Sequence, residues 1–450
     1  MSSTSFFSGS VSVKDIFLCN DAWFTFKEKY PQYLTPHKIY TVEQMLACCT
    51  AKLGCHVYKC PEHGNVITMV PHTCKTSICN ICGSLATEKW LAGFTKYLLP
   101  CDYKDLNFTL PHDFNPIIRK NMKLIFSIIL KSSNHAIMSY CKEKGFIPGV
   151  MSVIQTFSKR KNFHLHTHHI MTAGGLSLDH SQWITEHFID HKAVEQRFRF
   201  KFIQLIRVAI KKNKINYPQH YDADRLLEIC RKTAGIRWNN DVGKEPVTNP
   251  LIVVNYLGKY LHTAIISEAK IQSFDGNTVT LMLINYQTKM LEPVTFDQHQ
   301  FIKLVIQHIP DKYSKSISYS GIFANQKKSK LLPIARRLLH RANPSKAYST
   351  EMLTTMAMHD VPLWRERMMK YNKKDPLLCT ICQKEMVLQR VILPRDCDAE
   401  KTIQHILDDP NNIIAHNPFK AKAKKNKYQD RLQRNHDRLW QQLKSTSRRK

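Results

Sequence analysis

The sequence predicts a multidomain α+β protein on three observations. A cysteine-rich stretch over 55–90 has metal-ligand spacing, two β-like runs flank a basic hairpin near 160, and apolar residues recur at helical spacing through much of the rest. The 450 residues leave room for two to four domains of roughly 100–200 residues each. Hydrophobic residues at 43% and aromatics at 10% supply packed cores and exclude a disordered or fibrous chain. Lys and Arg number 66 against 36 Asp and Glu, a formal net charge of +30. A chain this basic needs a polyanionic partner, most commonly nucleic acid.

Other classes fit poorly. The longest apolar run, Leu124–Leu130, is far short of the roughly 20 residues of a spanning helix. The opening Met1-Ser2-Ser3-Thr4-Ser5 lacks the basic start of a secretory signal. Cys-x2-Cys and Cys-x2-His pairs in a large chain point to metal binding in a reducing compartment rather than to disulfides.

In chain order, residues 1–50 read as an orienting segment with a short helix near Thr41–Cys49, followed by the cysteine-rich stretch. Leu106–Leu110 is β-like and Pro111 stops it, and Asn115-Pro116 opens a helix from Ile117 to about Lys144. A strand over Gly149–Phe157, a basic hairpin Ser158–Asn162 and a second strand Phe163–Thr172 follow, closed by Gly174-Gly175. Residues 182–235 are helical and basic, with Arg197, Arg199, Lys201, Arg207, Lys211 and Lys212 prominent, and a helix is expected from Pro250 through Leu261. A hairpin spans 270–300 around Asp275-Gly276-Asn277, and a mixed segment, 301–345, precedes a helix-rich tail.

The strand Phe163-His164-Leu165-His166-Thr167-His168-His169 places His164, His166 and His168 on one face, because strand side chains alternate. Two imidazoles two residues apart can grip one divalent cation, although the spacing does not name the metal. Tyr256 and Tyr260, at i and i+4, share one helical face. A phenol is a poor nucleophile at its free pKa of about 10, but beside a metal-bound phosphodiester it can attack phosphorus. Cys60, His63, Cys79 and Cys82 form two knuckles that predict a closed tetrahedral zinc site, with Cys74 or His72 able to replace one of them. Cys379 and Cys382 are a weaker second pair that Cys397 and His405 could complete, whereas the adjacent Cys48 and Cys49 read as structural.

These segments together resemble a two-tyrosine rolling-circle transposase of the HUH nuclease class, of the type found in bacterial insertion-sequence family ninety-one. The matching motifs run in family order: Phe108-Thr109-Leu110-Pro111-His112, His164–His168 followed by Ala173-Gly174-Gly175-Leu176, Tyr256–Tyr260, Tyr319-Ser320-Gly321 and Cys379–Cys382. The resemblance spans roughly residues 45–390. It implies that His166 and His168 hold a catalytic Mg2+ or Mn2+, with Gln155 or His164 as a candidate third ligand, and that Tyr256 and Tyr260 are the nucleophiles. Thr167 stands where the family usually has a bulky apolar residue. Lys259 stands where arginine is usual, keeping the charge but not a bidentate phosphate fork.

The implied organisation is an N-terminal segment with a zinc ribbon over 1–100, an HUH domain with a central antiparallel sheet over 101–345, and a helical C-terminal region over 346–450 with a partial knuckle. The last 31 residues, 420–450, carry twelve Lys and Arg against two Asp, a basic arm suited to DNA phosphates. The expected partners are single-stranded or hairpin ends of a mobile element, together with target DNA, in a bacterial cytoplasm at the nucleoid and with no membrane role. Lys159, Arg160, Lys161 and Lys259 are candidate DNA contacts. Two rival functions share features with this one: a plasmid or phage replication initiator or relaxase, and a non-catalytic zinc DNA-binding protein decayed from a transposase.

Overall fold

A computed structural model describes residues 11–243, 253, 258, 265–285, 287–342, 365, 366, 369, 375–394, 398–416, 418 and 419. It is a mixed α+β fold with antiparallel sheets. The described part of the N-terminal segment, residues 11–50, contains three α-helices, α1 (Val13–Leu18), α2 (Ala22–Lys29) and α3 (Pro36–Ala47), rather than one. Local chemistry starts them. Ser12 and Asp15 form a reciprocal capping box on α1, and Thr35 caps α3 ahead of Pro36. The zinc-region strands β1 (Cys55–Lys59) and β2 (Val66–Pro71) precede α4 (Asn80–Thr95), which leads to β3 (Tyr103–Thr109).

The helix expected over 117–144 is two, α5 (Asn115–Lys120) and α6 (Met122–Glu143). Asn121 interrupts them at φ −136°. Its side chain is buried, where its amide donates to the carbonyls of Ile117 (2.9 Å) and Asn216 (2.8 Å) and its Oδ1 accepts from the Asn216 N–H (2.8 Å). The two bonds with Asn216 are tertiary and hold Asn121 out of the helical conformation, which a sequence period cannot show.

Next come β4 (Phe146–Ile147), β5 (Gly149–Phe157), β6 (Phe163–Thr172), β7 (Gly174–Ser177), β8 (Trp183–Thr185), α7 (His191–Lys211), α8 (Ala223–Ala234) and β9 (Asn240–Val242). Gly174-Gly175 does more than end β6. A Cβ at Gly174 would lie 2.1 Å from the Ile184 carbonyl, and one at Gly175 would lie 2.1 Å from that of Ile147. The pair therefore lets β7 sit between β4 and β8 in a small sheet of its own.

The segment expected as a hairpin is a three-stranded sheet, β10 (Ile271–Phe274), β11 (Thr278–Ile284) and β12 (Leu291–Asp297), followed by a helix, Gln298–Ile306. Asp275 fixes its first turn by accepting the N–H groups of Asn277 (2.8 Å) and Thr278 (2.6 Å). This sheet shares one core with α1–α3, built on Phe17, Trp23, Phe26, Val279, Leu281 and Phe301.

The central sheet runs in the order β13-β5-β6-β3-β9, where β13 is Ile317–Gly321, and every pairing is antiparallel. β6 is the middle strand. One face, including Leu106, Phe108, Ile154 and Leu165, packs on α5–α8. The other, with Met151, Val153 and Ile170, packs on Phe94 of α4, on Val253 and on the helix Lys328–Ala342.

The C-terminal region contains strands as well as a helix, Ala399–Asp408. β14 (Val387–Ile392) pairs antiparallel with β1, and β15 (Ile413–His416) pairs parallel with β2, giving the sheet order β14-β1-β2-β15. Among the described residues, no helix is long and apolar enough to cross a membrane.

Candidate metal centres and catalytic face

The structure divides the four residues expected to form one zinc site between two clusters. Cys79 and Cys82 converge with Cys48 and Cys74, while Cys60 and His63 converge with Cys379 and Cys382. The reason lies in α4. Cys79 occupies its N-cap position and Cys82 lies in its first turn, next to the end of α3 that carries Cys48. Cys60 instead follows β1, at the end of that strand that pairs with Val387 of β14.

In the four-cysteine cluster the sulfur separations are 3.8 Å for Cys48–Cys82, 3.5 Å for Cys74–Cys82 and 3.7 Å for Cys79–Cys48. Tetrahedral zinc with bonds of about 2.3 Å places its sulfurs about 3.8 Å apart. The N–H groups of Cys74 and Lys75 donate to Cys48 Sγ and Cys82 Sγ, stabilising thiolate charge. The donor set fits zinc. Cys48, read from sequence as structural, is one of the four donors, and Cys49 is outside the group. Accordingly, Cys48→Ser lowers bound zinc by one equivalent per chain in elemental analysis, and Cys49→Ser leaves it unchanged.

On β6, His164, His166 and His168 share one face, as the alternation predicts. His166 lies opposite Gln155 of β5 and Thr109 of β3, and His168 lies opposite Asn107 of β3. The His166 Nδ1 is 3.0 Å from the His164 carbonyl, which can only accept, so Nδ1 carries the proton and Nε2 presents a lone pair. Gln155 Oε1 lies 3.3 Å from His168 Nε2, near the roughly 3 Å between adjacent donors on a small divalent cation. Asn107 Oδ1, on the same face, is buried without a hydrogen-bond partner. Burial, the largest cause, lowers the pKa of His166 to about 4 and that of His168 to about 2, so both are neutral and ligand-competent at pH 7. His164 is half-buried, its ring between those of His166 (5.1 Å) and His112 (5.2 Å). It does not converge with His166 and His168 into a three-donor group.

Of the hairpin cations, Lys159 is exposed and Arg160 partly so, but Lys161 is buried. Its ammonium lies 4.0 Å from the Phe157 ring centroid, and burial lowers its pKa to about 7. Tertiary packing thus takes Lys161 from the expected DNA-facing set. Tyr256, Lys259, Tyr260, Cys397 and the tail 420–450 lie outside the described residues. Within the tyrosine segment, Val253 and Gly258 are described and helical. Val253 is buried in the core on the histidine side of the sheet, and a Cβ at Gly258 would lie 3.1 Å from Leu91 and 3.9 Å from Thr87 of α4. Tyr319 also touches α4: its hydroxyl accepts from Trp90 Nε1 at 2.7 Å, and its ring stacks on Phe94. A cleft of about 110 Å³, lined by Ser77, Ile78, Val153 and Gln155 among others, brings the zinc loop beside this face.

Two family models match the chain. One, described as "Transposase zinc-binding domain", covers residues 18–110, and the other, described as "Putative transposase", covers residues 149–330. The chain belongs to the IS91 family of transposases. The "Transposase for insertion sequence element IS801" of Pseudomonas savastanoi pv. phaseolicola is 26% identical over 387 residues, 84% of this chain and 90% of that relative. The "Putative transposase y4qJ" of Sinorhizobium fredii (strain NBRC 101917 / NGR234) is 25% identical over 312 residues, 66% of this chain and 77% of the relative. No solved structure matches it. In this transposase the zinc-binding match contains the whole four-cysteine cluster, and the second match contains Gln155, His166 and His168.

Two histidines were not anticipated as structural parts. His169 is fully buried on the opposite face, edge-on to Phe108, with Nε2 2.9 Å from Thr167 Oγ1. His308 is buried between Thr156 Oγ1 (3.1 Å) and the Lys161 carbonyl (3.2 Å). Burial lowers each pKa to about 3. Both are depressed on folding, so the unfolded transposase takes up these protons first. Their contribution is intact above about pH 6.5 and is lost as pH falls toward 3, at about 1.4 kcal/mol per pH unit for each group. Urea unfolding between pH 7 and 5 shows a slope shallower by about that amount in His308→Gln.

Proposed function

We propose that this transposase nicks and joins single DNA strands at the ends of a mobile element by a rolling-circle route, with Tyr256 and Tyr260 as nucleophiles and His166, His168 and Gln155 holding a divalent cation. The observation that carries this reading is the position of Val253 and Gly258. Both flank Tyr256 in sequence; Val253 is buried with Met151, Val153 and Ile170 of the histidine-bearing face, and a Cβ at Gly258 would lie 3.1 Å from Leu91 of α4, the helix whose Phe94 packs on that face. The buried, partnerless Asn107 Oδ1 and the neutral imidazoles suit a cation there.

A bound magnesium or manganese ion would neutralise charge on the scissile phosphate and on the departing oxygen. One tyrosine oxygen forms a bond to phosphorus as the bond to the 3′ oxygen breaks, leaving a 5′-phosphotyrosine and a free 3′-hydroxyl. The phenol gives up its proton to solvent and the departing oxygen takes one up. The second tyrosine holds another strand, so the free hydroxyl can attack a phosphotyrosine and complete transfer without an external nucleophile. Lys159 and Arg160 of the hairpin, and Lys259 of the tyrosine motif, are the proposed phosphate contacts.

The test is nicking of end-labelled single strands from the termini of the element. Chelation stops nicking, and added magnesium or manganese restores it; cleavage that ignores chelation overturns the reading. Binding is also strongly salt-dependent, because each neutralised phosphate releases a counterion. Deleting residues 420–450 flattens the plot of log affinity against log salt while leaving cleavage at saturating DNA intact.

A further inference from the structure

We infer that Cys60, His63, Cys379 and Cys382 form a second zinc centre that clasps the C-terminal region onto the zinc-binding domain. The inference builds on the zinc reading of the domain and is independent of the tyrosine chemistry. The zinc-binding match ends at residue 110, so it leaves Cys379 and Cys382 unassigned.

The donors converge from two knuckles. Cys60 Sγ is 3.6 Å from Cys382 Sγ and 3.7 Å from His63 Nδ1, and Cys379 Sγ is 3.8 Å from His63 Nδ1. A tetrahedral zinc with three sulfurs and one imidazole nitrogen has donor separations of about 3.5–3.8 Å. The sulfurs are far beyond the roughly 2.05 Å of a disulfide. Each knuckle turns a backbone N–H toward its own first sulfur, from His63 to Cys60 (3.3 Å) and from Ile381 to Cys379 (3.4 Å). Cys60 and Cys379 are almost fully buried. Gln383, directly after Cys382, adopts φ 61°, the reversal that lets the chain leave the knuckle.

The surroundings point the same way. Glu62 and Lys384 form an ion pair at 2.7 Å across the two knuckles. Strand pairing fixes the register: Lys59 of β1 lies opposite Val387 of β14, so Cys60 and Cys382 leave the same end of one ladder. Around the donors the buried apolar contribution is small, chiefly Val66 and Met386. So thin a core supplies little folding energy, whereas zinc binding in such sites is itself folding energy. The ligands are also more than 300 residues apart, so the metal closes a long loop that the unfolded chain leaves open. The clasp tethers the start of the C-terminal region to the domain that carries the first zinc.

The experiment is a thiol-alkylation map of the full-length, zinc-loaded protein, read by mass spectrometry with and without chelator and paired with zinc analysis. The expected zinc content is two equivalents per chain. Cys60, Cys379 and Cys382 resist alkylation until chelator is added, as do Cys48, Cys74, Cys79 and Cys82. A Cys379→Ser/Cys382→Ser variant keeps one equivalent and keeps protection at Cys48, Cys74, Cys79 and Cys82. His63→Cys, which preserves a competent donor, keeps two. The proposal is overturned if Cys379 and Cys382 react at the same rate with and without chelator while Cys79 and Cys82 remain protected. A zinc content of one equivalent in the unaltered protein overturns it as well.

Discussion

Replacing both Tyr256 and Tyr260 with Phe abolishes the covalent protein–DNA adduct and leaves folding nearly unchanged. The substitution keeps each aromatic ring and removes only the hydroxyls, so thermal unfolding and DNA affinity are expected to stay close to those of the parent. In the proposed mechanism the two phenols, spaced i and i+4 in sequence, act in turn on two strands, a spacing that on a helix separates Cβ atoms by about 5–6 Å. Each single Phe variant therefore still forms some adduct but fails to complete strand transfer. The measurement is a denaturing gel of end-labelled single-stranded substrate, scored for label that migrates with the protein. Adduct persisting in the double variant shows that the nucleophile lies elsewhere. Parental transfer by Tyr260→Phe alone reduces the chemistry to one tyrosine.

Removing either His166 or His168 from the proposed catalytic face is expected to have a comparably large effect. His166→Ala or His168→Ala loses a cation ligand whose Lewis-acid contribution is several kcal/mol, so nicking falls by about 10³-fold. Affinity for single-stranded ends changes little, because in the proposed mechanism these side chains hold the cation and do not contact the phosphate backbone. Gln155→Ala, which removes the amide 3.3 Å from His168 Nε2, costs less and raises the magnesium concentration needed for half-maximal nicking. His169→Ala instead lowers stability and leaves the metal requirement unchanged, since His169 lies on the opposite face against Phe108. A variant of His166 that nicks at the parental rate removes that residue from the site.

What the sequence determined by itself was local and periodic. The β5–β6 hairpin, the shared face of His164, His166 and His168, and the existence of close-spaced cysteine pairs all follow from patterns within ten or so residues. Composition and the ordered motifs were enough to indicate a DNA-directed transposase. Only the tertiary structure decided which cysteines meet. Spacing identifies a knuckle, but with several knuckles in one chain it does not say which pair closes on which. Strand register settled that question by bringing Val387 opposite Lys59, and α4 settled it by carrying Cys79 and Cys82 to Cys48 and Cys74. Asn107 was invisible for the same reason: nothing near it in sequence marks it, and it enters the histidine face because β3 pairs with β6. Burial likewise separated His169 and Lys161 from the neighbours they resemble, because the face a side chain takes, and what covers that face, is set by elements far away along the chain.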